Sequence, residues 1–192
     1  MIHEAIITTK NADGSTHITP LGYTCVGEQV LLRPFIPSRT EDNLRRQREA
    51  VINLCDDVRI FAGALTGHRD WPLAASGSVG VERLAGALAT LELGITHIEE
   101  DQQRPAFHCD IRESHNLAPF QGFNRAQAAV IEGAILVSRL NMLSPDKIDH
   151  ELEYLRIAID KTAGAYELEA WGWLMERIRD FRNTDATEVD GA

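Results

Sequence analysis

Residues 2–35 read IHEAIITTKNADGSTHITPLGYTCVGEQVLLRPF. Two short turns divide this stretch into three runs rich in apolar and β-branched residues. IHEAIITT is followed by KNADG, where Asp13-Gly14 is a strong hairpin signal. THITPLGYTCV then passes through Gly27-Glu28 into QVLLRPF. The pattern predicts three consecutive antiparallel strands, a meander.

Working outward, AVINLC (50–55) reads as another strand, and the Gly/Ala-rich stretch LAASGSVG (73–80) has no clear period. LAGALATLELGITHIEE and PAFHCDIRES read as a strand pair with a bend at Gly94. Several short strands at regular spacing predict a barrel or sandwich up to about Phe120. One helix is expected inside this region, over roughly residues 40–49. Thr40 is a candidate N-cap, and Glu41 and Asp42 favour the positive end of the helix dipole. Ser38 with Glu41 also fits the capping-box spacing.

From Gln121 the period becomes helical. FNRAQAAVIEGAILVSRL (123–140) is Ala-rich and free of proline, with Asn124 as candidate N-cap. Ser144-Pro145-Asp146 starts a second helix, with an apolar stripe at Ile148, Leu152, Leu155 and Ile159, ended by Ala163-Gly164. A third helix carries Leu168, Trp171, Leu174, Met175, Ile178 and Phe181 on one side. The expected division is a β-barrel over 1–120, a three-helix extension over 121–183, and a disordered tail over 184–192.

The chain has 192 residues, 44% of them hydrophobic, with a net charge of −10. That length buries a real core, and that charge repels nucleic-acid phosphates and anionic lipid. No apolar run reaches the roughly 20 residues that span a bilayer, and the N-terminus lacks the pattern of a signal peptide. The three cysteines, Cys25, Cys55 and Cys109, form no CxxC pair. Free thiols and a cytoplasmic location are expected, with no nucleic-acid and no membrane partner.

The chemistry-bearing stretch is RPFIPSRTEDNLRRQR, residues 33–48. A helix N-terminus offers unpaired N–H groups and partial positive charge. Hydroxyls of Ser38 and Thr40, the Asn43 amide one turn in, and the charges of Arg39 and Arg33 together would make a phosphate cradle. The same residues also fit a capped helix with a solvated basic face, which Arg45, Arg46 and Arg48 continue. The residues alone leave both readings open.

AFHCDIRESH (106–115) contains His108, Cys109, Asp110, Glu113 and His115. These residue types suit zinc or iron, but the spacing does not, and on a strand Cys109 faces away from His108 and Asp110. A polar strand face, with no metal, is expected. Asn124-Arg125 reads either as a cap with a surface arginine or as a contact with an anionic substrate or partner subunit. Glu132 reads as a paired carboxylate, and Trp171 as core or dimer packing. No GxSxG, Walker loop or GxGxxG occurs.

The order of elements resembles the FMN-binding split barrel of the pyridoxamine-phosphate oxidase and flavin reductase superfamily. In that fold a strand meander precedes a Ser-Arg or Thr-x-x-Asn motif that opens a helix, and a strand of Val-x-asparagine type follows. More closely, EAIITTKNADGSTHITPLG, RPF, T-x-x-NL, VINLCDD and FNRAQAAVIE resemble a flavin-binding family, a domain of unknown function. It carries a helical C-terminal extension and occurs mainly in methanogens and methylotrophs.

The resemblance implies an α+β fold: an FMN-binding split β-barrel followed by three helices. It implies phosphate contacts from Ser38, Arg39, Thr40 and Asn43, with Arg33 as a further candidate. Ile18, Thr19, Pro20, Leu21 and Gly22 would run beside the isoalloxazine edge. Asn124 and Arg125 are candidates for substrate or partner-subunit contacts. Thr40 stands where many oxidase relatives carry lysine. The implied function is an FMN flavoprotein, a redox enzyme acting on a small, pterin-like substrate, working as a homodimer with FMN at the subunit interface. The alternatives are a non-catalytic flavin carrier, an FMN-sensing module, or a deazaflavin binder. No catalytic acid or base is named. Thr40→Ala with Asn43→Ala is expected to weaken FMN binding while the fold survives.

Overall fold

The computed structural model describes residues 1–189, with side chains through residue 184. In chain order the elements are β1 (Ile2–Lys10), β2 (Thr16–Val26), β3 (Gln29–Leu32), α1 (Arg39–Gln47), β4 (Glu49–Leu54) and α2 (Arg59–Thr66). They continue with β5 (Leu73–Ala74), β6 (Arg83–Leu84), β7 (Ala89–Glu99), β8 (Ala106–Asn116), α3 (Arg125–Val137), α4 (Pro145–Thr162) and α5 (Ala165–Val189). The chain divides into two units. One holds residues 1–56 and 70–120, the other 57–69 and 121–192.

The first unit is the expected barrel. Six antiparallel strands close in the order β1-β2-β3-β8-β7-β4, and β5 and β6 form a separate two-stranded sheet. β2 runs over the whole of THITPLGYTCV. The turn before it holds Gly14 at φ +87°, a conformation that glycine adopts without strain. β3 is shorter than expected and stops at Leu32. Pro34 has no N–H for the ladder. The Arg33 carbonyl instead accepts from Arg104, and the Ile36 N–H donates to Gln103, so the chain has already turned away.

Alternation along the strands builds two buried faces. Ala5, Ile7, Val30, Leu32, Ala50, Ile52, Leu93, Phe107 and Cys109 fill the interior, with Leu44 of α1 packed among them. Burial pushes the Cys109 thiol up to about 12, whereas Cys25 is exposed. A thiol reagent at neutral pH is therefore expected to modify Cys25 and to spare Cys109 until the protein is denatured. Equal rates at both positions would contradict this packing.

The second face carries Ile6, Thr8, Val51, Asn53, Thr90 and Glu92, all with essentially no exposure. A flap comprising the β5–β6 sheet and the loop between its strands is pinned over it by side chains of β4 and β7. Asn53 accepts from the Leu84 N–H at 2.8 Å, and Glu49 accepts from Gly80 at 2.9 Å. Glu92 accepts from the Gly77 N–H at 2.9 Å, and from the Ser78 N–H and hydroxyl at 2.6 and 2.7 Å. Burial alone would raise the Glu92 carboxyl. The donors of Gly77 and Ser78 outweigh it and hold the group below the usual carboxylate range.

Gly94, where a bend was expected, pairs within a continuous β7 and lies between two register irregularities, at Glu92/Leu93 and Ile95/His97. A side chain at Gly94 would collide with the Arg112 guanidinium, which crosses there to bond Glu49 at 2.7 Å.

The helical unit contains α3, α4 and α5 as expected, with caps at Asn124 and Ser144 and Pro145 in the first turn of α4. Ile148 and Ile159 are buried and Leu152 and Leu155 partly so, which confirms the stripe of α4. On α5, Trp171, Leu174 and Ile178 are buried in the core of this unit, while Leu168 lies outside it, 55% exposed. Trp171 packs over Gly133 of α3, where a β-carbon would already press on its ring. Glu132 faces outward from α3.

One element of this unit was not expected. α2 belongs to the helical unit and packs against α3 and α5. Its Arg59 pairs with Asp57 and Glu169 and covers the Tyr166 ring at 3.5 Å. α5 runs to Val189, beyond the start of the tail expected to be disordered from residue 184. Residues 190–192 lie outside the described residues.

Candidate functional site

The start of α1 packs against the hairpin end of β1 and β2. Ser38 is the N-cap, in extended conformation, and its hydroxyl accepts from the Glu41 N–H at 3.2 Å. The capping-box spacing therefore gives the helix start, and Thr40 is the second helical residue instead of the cap. The Asp42 N–H bonds the Ser38 carbonyl. Helix geometry provides no intrahelical acceptor for the N–H groups of Arg39 and Thr40.

Thr40 is 6% exposed, and its hydroxyl lies 3.1 Å from His17 Nε2. His17 was not singled out from the sequence. It sits on β2 opposite Thr9, and nothing in its local motif announces the approach of α1. Arg39 is exposed and lies near enough to Asp13 to add to the Ser15 hydrogen bonds that hold the Asp13 carboxyl below its usual range. The remaining arginines of the helix are engaged. Arg45 makes a two-pronged pair with Glu100 at 2.8 and 2.7 Å and also bonds Glu41. Arg46 bonds the Lys10 carbonyl and the Asn43 side chain. Arg48 caps the helix and bonds the Thr96 carbonyl.

Asn43 has a different environment from Ser38 and Arg39. It is 2% exposed, and its amide donates to Thr9 Oγ1 at 3.1 Å and Asn11 Oδ1 at 2.9 Å. Its carbonyl oxygen accepts from Arg46 at 2.8 Å. The side chain ties the helix to the hairpin. Asn53, in the VINL motif, is a second such tie and was likewise not read as one. Arg33 is exposed, and its charge reaches the loop at Asp101.

Ile18, Thr19, Pro20, Leu21 and Gly22 follow His17 along β2, and His17 is the residue that meets Thr40 of the helix start. All five are half-buried. β1 pairs along their whole length, but β3 pairs only with residues 23–26. One side of the strand from 16 to 22 thus keeps its backbone groups outside the ladder. Strand alternation puts the backbone groups of Ile18, Pro20 and Gly22 on one side and those of Thr19 and Leu21 on the other. Pro20 has no N–H for β1, which places its side at the open edge. Gly22 has a local reason for its identity, because a side chain there would meet Ile2.

Asn124 and Arg125 belong to the helical unit. Asn124 accepts from the Ala126 N–H at 2.7 Å and donates to the Thr162 carbonyl at 3.0 Å, and Arg125 is exposed. Thr162 Oγ1 also takes the Ala126 N–H, so the start of α3 is capped from two sides. On β8, Cys109 is buried and Asp110 exposed, as alternation required. Among the described residues no helix is long and apolar enough to cross a membrane.

Comparison with known proteins agrees with this architecture. A family model described as "Protein of unknown function (DUF447) N-terminal domain" matches residues 3–118, and another described as "Protein of unknown function (DUF447)" matches residues 124–176. The structure is similar to an FMN-bound DUF447 protein from Methanosarcina mazei, with a TM-score of 0.78 at 18% identity, over 92% of this chain and 94% of that one. It is also similar to a nitrilotriacetate monooxygenase component B homologue from Mycobacterium thermoresistibile (TM-score 0.54, 15% identity, 62% and 72% of the chains). An NADH:FAD oxidoreductase from Streptomyces globisporus matches at 0.53 and 14% identity, over 60% and 71%. These identities speak to the fold. No curated protein matches the chain. With both family segments matched in order along the barrel and the helices, the chain belongs to the DUF447 family.

Proposed function

We propose that this protein is an FMN-binding flavoprotein. The observation that carries the proposal is the meeting of an unpaired strand edge, residues 16–22 of β2, with the N-terminus of α1, where Arg39 is exposed beside the Ser38 cap. A helix start with free N–H groups and a guanidinium suits a phosphate, and an open strand edge suits the polar rim of a flat ring. The FMN-bound DUF447 protein from Methanosarcina mazei supports the choice of ligand.

In this reading the N–H groups of Arg39 and Thr40, the Ser38 hydroxyl and the Arg39 side chain hold the phosphate. Thr40 is set in place by His17 and Asn43 supports the helix from beneath, while Arg33 adds charge from the loop after β3. Backbone groups of Ile18, Pro20 and Gly22 face the ring, with Thr19 and Leu21 holding the strand to β1. Bound FMN would supply hydride or electron chemistry, and the protein binding and orientation. A second copy of the chain would cover the open β2 edge, making a homodimer with FMN at the interface. Asn124 and Arg125 are then candidates for contacts with a substrate or the other subunit, and a small pterin-like compound is the first substrate class to try.

The test is titration with FMN, followed by its fluorescence. Arg39→Glu is expected to weaken binding about 10-fold or more, given about 1.5–3 kcal/mol for a hydrogen bond to a charged group. Because Arg39 is exposed, the melting curve of this variant should stay close to wild type. Unchanged affinity would remove the phosphate from this helix. Reduction of the bound flavin by NADH or NADPH separates a redox enzyme from a carrier or sensor, in which the flavin stays oxidised with either donor.

A further inference from the structure

Strands β7 and β8 gather side chains that the linear sequence keeps apart. Glu92 pairs directly with Glu113, and Thr90 with His115. Directly paired residues project from one face, so the four form a two-by-two patch. The register irregularity after Glu92 creates it. Leu93 pairs with Ile111, and continued without the bulge Glu92 would face Arg112, an opposite charge. The bulge exchanges that arginine for Glu113 and sends Arg112 to Glu49. A fully buried carboxylate is thus set opposite another carboxylate, an arrangement that is unfavourable without a cation.

The three ligating side chains converge. His115 Nε2 lies 3.6 Å from Glu92 Oε1 and 3.4 Å from Glu113 Oε1, both longer than an ordinary hydrogen bond. One ligand atom from each residue lies within 4.8 Å of the others. A tetrahedral ion with bonds of about 2.0–2.2 Å spaces its ligand atoms about 3.3–3.6 Å apart. The two separations at His115 match that edge. Glu92 Oε1 takes one hydrogen bond, from Gly77, and keeps a second lone pair for an ion. Gly77 itself packs against the Glu113 carboxylate, where a side chain would collide with Oε2.

A second observation points to the same place. Among the described residues, two buried side-chain polar atoms lack a hydrogen-bond partner, Thr90 Oγ1 and Ser76 Oγ. Thr90 is one corner of the patch, with no exposure, and Ser76 precedes the Gly77-Ser78 pair that closes over Glu92. Buried hydroxyls are seldom left unpaired.

We propose that Glu92, Glu113 and His115 bind a divalent first-row transition-metal ion, Zn²⁺ by its geometry, with one carboxylate oxygen from each glutamate and Nε2 of the histidine. Water fills the remaining position, and Thr90 gives that water a hydrogen-bond partner. Two carboxylates and a neutral imidazole match the charge of the ion, and the borderline-soft nitrogen donor favours zinc over calcium or magnesium. The polar strand face expected from sequence is then a ligand set completed by the neighbouring strand.

The experiment is calorimetric titration of the full chain, first stripped with chelator, with ZnCl₂. Cobalt chloride serves as a visible-absorption probe. One Zn²⁺ per chain is expected, with micromolar or tighter affinity. His115→Ala and Glu113→Gln, both at partly exposed positions, should each weaken it by about 10-fold or more and abolish the tetrahedral Co²⁺ band. Circular dichroism of the variants checks that the barrel persists. His97→Ala with His108→Ala removes other histidines of the same strand pair and should leave the affinity unchanged. Binding no tighter than millimolar, or equal in wild type, His115→Ala and Glu113→Gln, would overturn the proposal.

Discussion

Asn53→Ala should lower the stability of the protein by about 3 kcal/mol or more, read as a fall in the urea midpoint. Asn53 has no exposure and joins three parts of the barrel. Its amide donates to the Ile6 carbonyl and Thr8 Oγ1 at 3.2 Å and to the Val51 carbonyl at 3.3 Å. Its oxygen accepts the Leu84 N–H, and Leu84 is 1% exposed. Alanine would leave that buried N–H unpaired, which costs about 1–3 kcal/mol alone, and would remove bonds worth about 1 kcal/mol each. The flap should loosen first, so exchange of the Leu84 amide hydrogen should accelerate more than that of Ile52. A loss below about 1 kcal/mol would mean that the flap is not held by this side chain.

Asn43→Ala should cost about 2–3 kcal/mol in protein free of flavin, measured in the same way. The loss leaves Thr9, Asn11 and Arg46 without the partner that joins helix to hairpin. This changes what the double substitution of Thr40 and Asn43 tests. Both residues are buried, so weakened FMN binding in that variant would report a displaced helix together with any lost ligand contact. The apo stability decides between the roles. If Asn43 served only a phosphate, the flavin-free variant would be as stable as wild type and its FMN affinity alone would fall.

The barrel was legible because its signals are local. Asp13-Gly14 fixes a hairpin, β2 runs unbroken over eleven residues, and the caps at Asn124 and Ser144 announce their helices. What was missed lacked such signals. α2 begins at Arg59 after Val58, which offers no side-chain cap, spans eight residues and contains Gly63, so neither period nor cap marks it. β5 and β6 are two residues each and exist through their pairing. β3 ends early because Pro34 withdraws a donor, a cue that was present but outweighed by the apolar run.

The candidate site divides in the same way. Ser38, Arg39 and Thr40 are recognisable because capping and anion binding use the same helix start. Asn43 resembles a member of that group by spacing, yet its environment is set by Thr9 and Asn11, more than thirty residues away. His17 beside Thr40 depends on how the helix packs on β2. Glu92 beside Glu113 and His115 depends on a one-residue bulge, which no spacing within a single strand encodes.

The central claim is that the start of α1 grips a phosphate. Its most direct measurement compares FMN with riboflavin, which differs only by that group, by fluorescence titration of the wild-type chain at fixed salt. Two or more charge-assisted hydrogen bonds of about 1.5–3 kcal/mol each predict FMN binding about 100-fold tighter or more. Equal affinity for the two would contradict the account.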